Sequence, residues 1–167
     1  MVDRLKCLLT AYREPGSAVE QLSKTFLKWA SASLERDKLC KFYVIWKLHK
    51  KANALGVRSR PIASNIGYPT GQVSHFLHCQ LRDAVLSREF VLKDSIRLIR
   101  QLECMNISQT QVLILTSADV AVLYPSINLE DGLTTMQWFM TRYTSIPLGL
   151  QKLYILLAQF VLENNYV

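Results

Sequence analysis

The chain has 167 residues, 50% of them hydrophobic and 20% charged, with a net charge of +7. That apolar share excludes a disordered chain and is enough for one domain with its own core, or for part of a larger one. No run approaches the roughly 20 apolar residues of a membrane span; the nearest, residues 153–162 (LYILLAQFVL), is about half that length.

The charge is uneven. Residues 1–100 carry 18 Lys and Arg against 8 acids, whereas residues 101–167 carry 2 against 5. Between residues 36 and 60, eight basic side chains face the single acid Asp37. That density suits a phosphate-bearing partner, although a plain solvated face has the same composition.

Cys7, Cys40, Cys79 and Cys104 show no CxxC spacing, and nothing near the start reads as a signal peptide. A reducing, intracellular setting is the expectation, with the nucleus preferred. His75, His78 and Cys79 stand at i, i+3 and i+4, which could gather metal ligands, but the rest of a four-ligand zinc set is not evident. Without a secretory signal, the acceptor triplet Asn106-Ile107-Ser108 carries little weight.

In chain order, Ser17-Ala18-Val19-Glu20 is a capping-box pattern, and Val19, Leu22, Phe26, Trp29 and Ala30 follow at helical spacing. The spacing predicts a helix over residues 18–34. KFYVIWKLHK is aromatic and β-branched and predicts a strand; a loop and the short strand RPIAS complete an extended hairpin with a basic tip. Pro61 belongs on an edge or at a strand start, because it has no N–H to give to a ladder.

Thr70 is positioned to cap a helix reaching to about residue 88, with Val73, Phe76, Leu77, Leu81, Ala84 and Val85 on one face. A second helix, capped by Asp94 or Ser95, should turn Ile96, Ile99 and Leu102 inward. The run VLIL at 112–115, between polar Gln111 and Thr116, predicts a strand buried on both faces that delivers Asp119 at its carboxyl end. A carboxylate there can hold a hard cation, typically Mg2+ shared with substrate phosphates. Asp also starts turns and caps helices for local reasons, so position alone is a weak sign. Glu130 and Asp131 suit the start of a helix to about residue 143. Beyond Pro147, a last helix places Leu150, Leu153, Tyr154, Leu157, Phe160 and Val161 on its apolar side.

Six motifs in this order resemble the fingers and early palm of a reverse transcriptase, above all of the Penelope-like and related retroelement group. They are FYVIWKLHK, RPIAS, PTGQVSHFL, VLKDSIRLIRQLE, SADVAVLYPSINLEDGL and LYILLAQFVLENNYV, spanning residues 42–167. The resemblance implies an α/β (α+β) chain with part of a right-hand polymerase fold: a helical region at 1–40, a basic fingers-like hairpin with helices at 41–110, and an incomplete palm at 111–167. It implies that Asp119 and the backbone carbonyl of Val120 bind the catalytic Mg2+ ions, and that Tyr124 acts as the steric gate against a ribose 2′-OH. Lys47 and Arg60, with Arg58 as a third, would face the triphosphate of an incoming nucleotide. Lysine supplies a point charge and arginine a planar fork, which fits that task.

Trp46 stands where the family often has proline. No Asp-Asp pair occurs in the chain, so the family's Tyr-x-Asp-Asp turn is absent from it, as are its Gly/Gln palm segment and thumb. The abrupt apolar ending suggests an excised piece whose palm and thumb belong to the same parent chain. The expected parent reaction is RNA-templated DNA synthesis on an RNA template with a DNA primer, dNTPs and Mg2+, and the 167 residues are not expected to polymerise alone. A nucleic-acid-binding module and a non-functional retroelement remnant are the alternatives.

Overall fold

The two-stranded ribbon and the helices of the computed structural model follow from two sequence periods, two residues for strands and about 3.6 for helices. The structure describes residues 2–11, 26, 41–48, 56–64, 66–68, 70–106, 114–121 and 123–164. Its described elements are mixed α and β: α1 (Val2–Ala11), β1 (Lys41–Trp46), β2 (Ser59–Ser64), α2 (Gly71–Leu86), α3 (Ser95–Glu103), α4 (Leu123–Ser126), α5 (Leu129–Tyr143) and α6 (Leu148–Glu163). The helix expected over residues 18–34 lies outside the described residues apart from Phe26, which is helical and buried.

Around α6 the sequence leaves little choice. Its apolar residues recur on nearly every side, so it must be covered by other elements rather than lie on a surface. Leu150, Leu153, Tyr154, Leu157, Phe160 and Val161 are all buried, as expected. The helices α2 and α5 pack against it. From α2 come Val73 and Leu77, from α5 Met140, and from α1 Leu5, so one cluster joins four helices. An ion pair from Arg4 Nη2 to Glu163 Oε2 at 2.8 Å ties α1 to the end of α6. Both side chains are partly exposed, so this pair adds little beyond orientation.

Aromatic rings line the α2–α6 contact. Phe76 meets Phe26 at 4.6 Å and Tyr154 edge-on at 5.7 Å between centroids. The Tyr154 hydroxyl donates to Gln80 Oε1 at 3.1 Å. Burial pushes this phenol above its ordinary value. In the unfolded chain it ionises near pH 10, earlier than in the fold, so the stability it contributes is complete below that pH and is lost as pH rises through the folded value. Tyr154→Phe should therefore flatten the alkaline loss of stability while costing about 1 kcal/mol at neutral pH through the lost hydrogen bond. Urea midpoints measured against pH check both effects; an unchanged alkaline slope would refute the assignment.

The turn into α6 is polar but satisfied. Gln151, buried beside the start of α6, accepts from Thr141 Oγ1 and donates to the Ile146 carbonyl. At the other end of α5, Asn128 Oδ1 accepts from the Glu130 N–H, and Glu130 and Asp131 occupy the first turn where the helix dipole favours acids.

Thr70 behaves differently from expectation. It stands at the N-cap of α2, but its backbone is already helical (φ −76°, ψ −14°), so its hydroxyl does not reach the first-turn N–H groups. Thr70 Oγ1 is buried with no partner among the described residues. A buried hydroxyl without a bond is costly, so Thr70→Val, which keeps the shape, should raise stability by about 1 kcal/mol. A lowered urea midpoint for Thr70→Val would contradict this.

Two further expectations are corrected. Asp94 does cap α3, its Oδ1 accepting from the Arg97 N–H at 2.8 Å. However, α3 has no buried residue, and Ile96, Ile99 and Leu102 are exposed rather than inward. The apolar stripe forms a helix face, but no described element covers it. Of the strand expected over 112–115, residues 112 and 113 lie outside the described residues, and Ile114 and Leu115 are not in a strand. Residues 114–120 are irregular and exposed, with Ile114 at 80% and Leu115 at 83% exposure. A strand exists only where a neighbour takes its N–H and C=O groups, and the sheet among the described residues is the β1–β2 pair alone. An apolar run can bring the side chains of a strand without bringing that neighbour.

Candidate nucleic-acid interface

The hairpin was legible from its β-branched and aromatic residues, and its register determines what it presents. β1 and β2 pair antiparallel with Lys41 opposite Ser64, Phe42 opposite Ala63, Tyr43 opposite Ile62, Val44 opposite Pro61, Ile45 opposite Arg60 and Trp46 opposite Ser59. The Lys47 N–H donates to the Arg58 carbonyl at 2.8 Å, which carries the ladder one pair further. Gly56, with φ +101°, lies just before that pair, in a conformation that L side chains rarely adopt.

This register accounts for Pro61. Hydrogen-bonded and non-bonded pairs alternate along an antiparallel ladder. With Lys47 and Arg58 bonded, the pairs 45/60, 43/62 and 41/64 are of the bonded kind and 44/61 is not. Proline's missing N–H therefore falls where the ladder asks for none, on the outer edge of a two-stranded ribbon.

The same alternation sorts the side chains onto two faces. Directly opposed residues share a face, and each step along a strand changes it. One face carries Lys41, Tyr43, Ile45 and Lys47 from β1 and its extension, with Arg58, Arg60, Ile62 and Ser64 from the other side. The other carries Phe42, Val44 and Trp46 with Ser59, Pro61 and Ala63, and has no charge at all. Four cations thus gather on a single side of the ribbon. Lys47 is half-buried, Lys41, Arg58 and Arg60 are exposed, and none has an acidic partner among the described residues.

Unpaired cations repeated along an exposed ribbon form a surface of positive potential. The two arginines, two residues apart on one strand and one face, present forks suited to phosphate oxygens, and Lys47 adds a point charge across the ladder from Arg58. The register places Lys47, Arg58 and Arg60, the residues singled out by the resemblance, on this one face. Lys41 and Tyr43 on the same face were not anticipated, although a period-two reading of Lys-Phe-Tyr-Val-Ile-Trp-Lys contains them. The basic tip at Lys50 and Lys51 lies outside the described residues.

The second group of expected residues is placed less definitely. Asp119 and Val120 lie in the irregular stretch, both exposed. Tyr124 follows in the short α4, and nothing is described of its side chain. No hydrogen bond or ion pair among the described residues joins Asp119 to the hairpin cations. Among the described residues, no three His, Cys, Asp or Glu side chains cluster as metal ligands. That includes His75, His78 and Cys79, of which Cys79 Sγ lies 3.6 Å from His75 Nε2. For Mg2+, the Asp119 carboxylate and Val120 carbonyl are ligands of the right kind, but they are too few to hold the ion without further oxygens. An open hollow of 650 Å3 between α2, α5 and α6, lined by Leu77, Leu81, Val85 and Met136 among others, contains none of the expected site residues.

No family model, curated protein or solved structure matches the chain. Among the described residues, no helix is long and apolar enough to cross a membrane.

Proposed function

We propose that this chain is the fingers and early-palm portion of a reverse transcriptase and that its contribution is to hold nucleic-acid or nucleotide phosphates on the cationic face of the hairpin. The observation that carries the reading is the β1–β2 register, which puts Lys47, Arg58 and Arg60 on one exposed face without acidic partners among the described residues. The parent reaction is RNA-templated addition of deoxynucleotides to a DNA primer, with Asp119 and the Val120 carbonyl supplying oxygens to Mg2+ and Tyr124 serving as the steric gate. Two-metal displacement needs more carboxylates than Asp119 provides, so no chemical step is assigned to these residues alone.

A second reading, a nucleic-acid-binding module without catalysis, is favoured by the irregular, exposed setting of Asp119. One outcome would decide between the two. Asp119→Ala should leave both stability and nucleic-acid affinity within error of the original chain, since an exposed side chain away from any network contributes little to either. Primer extension by the isolated chain should give no product. Mg2+-dependent incorporation that disappears in Asp119→Ala would instead show a working catalytic site and remove the module reading.

A further inference from the structure

We infer that the cationic face of the hairpin is a track for single-stranded nucleic acid, with Tyr43 as the platform on which one base stacks. The inference rests on the proposed phosphate-binding role of this face and names the class of ligand it takes. Tyr43 lies on that face, is 47% exposed, and has neither an aromatic neighbour nor a hydrogen-bond partner among the described residues. A tyrosine placed for the core would be covered, as Tyr154 is at 2%.

Its position among the charges carries the argument. Lys41 is two residues before it on β1, and Arg60 is opposite Ile45, two residues after it. At about 3.3 Å per residue, the ring has a cation roughly 7 Å away along the ribbon on each side, with Lys47 and Arg58 one further step beyond. A mononucleotide carries its charge at one end of the base and would leave Lys41 unused. A strand passing over the ring sets phosphates on both sides of the stacked base, which uses all four cations. Base stacking on an aromatic ring inside a positive groove is how sequence-tolerant single-strand binding is commonly built. The opposite face, with Phe42 and Trp46 but no cation, offers rings without a phosphate path.

The test measures the affinity of the full chain for an oligothymidylate, an abasic strand of the same length and inorganic polyphosphate. The expected result is that Tyr43→Ala weakens oligothymidylate binding by about fivefold or more, the effect of losing one stacked base. Tyr43→Phe should keep the affinity, and Tyr43→Ala should leave the abasic strand and polyphosphate unaffected. Equal affinity of the original chain for the abasic strand and oligothymidylate would overturn the inference. So would an equal loss on polyphosphate in Tyr43→Ala, because the ring would then only be holding the ribbon in shape. If Lys47→Ala with Arg60→Ala abolishes binding while Tyr43→Ala changes nothing, the stacking platform fails and the phosphate-binding face stands. If the original chain binds none of the three probes, both fail.

Discussion

Replacing Lys47 and Arg60 together by alanine should lower the affinity for single-stranded nucleic acid by about 30-fold, counting about 1 kcal/mol for each charged phosphate contact at an exposed site. The two residues lie on the same face, two residue pairs apart along the ladder, Arg60 opposite Ile45 and Lys47 opposite Arg58. Neither side chain has an acidic partner among the described residues, so their removal frees no competing carboxylate. The ladder should survive, because Lys47 and Arg58 are joined through the backbone, which the substitution keeps. The loss should also carry a signature: each phosphate contact removed reduces the salt slope by about 0.7 for a single strand. The double variant should therefore bind more weakly and depend less on salt. A filter-binding series at several salt concentrations reads both. Weaker binding with an unchanged slope would mean that the ribbon had been distorted instead.

Leu157→Ala should destabilise the fold by about 2–5 kcal/mol, the range for removing a large aliphatic side chain from a packed interior. Leu157 is fully buried at the middle of α6, in the cluster that joins α1, α2, α5 and α6. The surrounding residues come from separate helices, so the cavity can close only by moving whole elements, which keeps the cost towards the upper end of that range. Leu162, on the same helix but 51% exposed, is the internal comparison. Leu162→Ala should change stability by no more than about 0.5 kcal/mol. Denaturant midpoints for the two variants decide the matter. Equal effects would mean that α6 is not the centre of the core.

Where a sequence signal specified its own partner, the fold was legible. The capping residue Asp94 bonds an N–H three residues away, and the apolar surface of α6 is too wide to be left uncovered. The paired strands of the hairpin also supply one another. Where the partner was distant, the reading failed. The stripe Ile96, Ile99 and Leu102 defines a helix face but not what covers it, and Ile114 with Leu115 promised a strand without naming its neighbour. Thr70 occupied a capping position, yet its backbone angles, which composition does not reveal, turned its hydroxyl away from that task.

The candidate site divides in the same manner. Lys47, Arg58 and Arg60 were singled out by resemblance, and the register then brought them onto one face. The resemblance gives Lys41 and Tyr43 no role of their own, although strand alternation alone puts both on the face of Lys47. Asp119 was expected at the end of a strand, so its role stays tied to the resemblance and not to its surroundings.

A ribbon that holds nucleic-acid phosphates makes the affinity of the full chain for an oligothymidylate depend on salt. If the four cations of the ribbon engage phosphates, the logarithm of the binding constant should fall against the logarithm of salt with a slope of about −3. Binding that is indifferent to salt, or no binding at low salt, would mean that the ribbon does not hold phosphates.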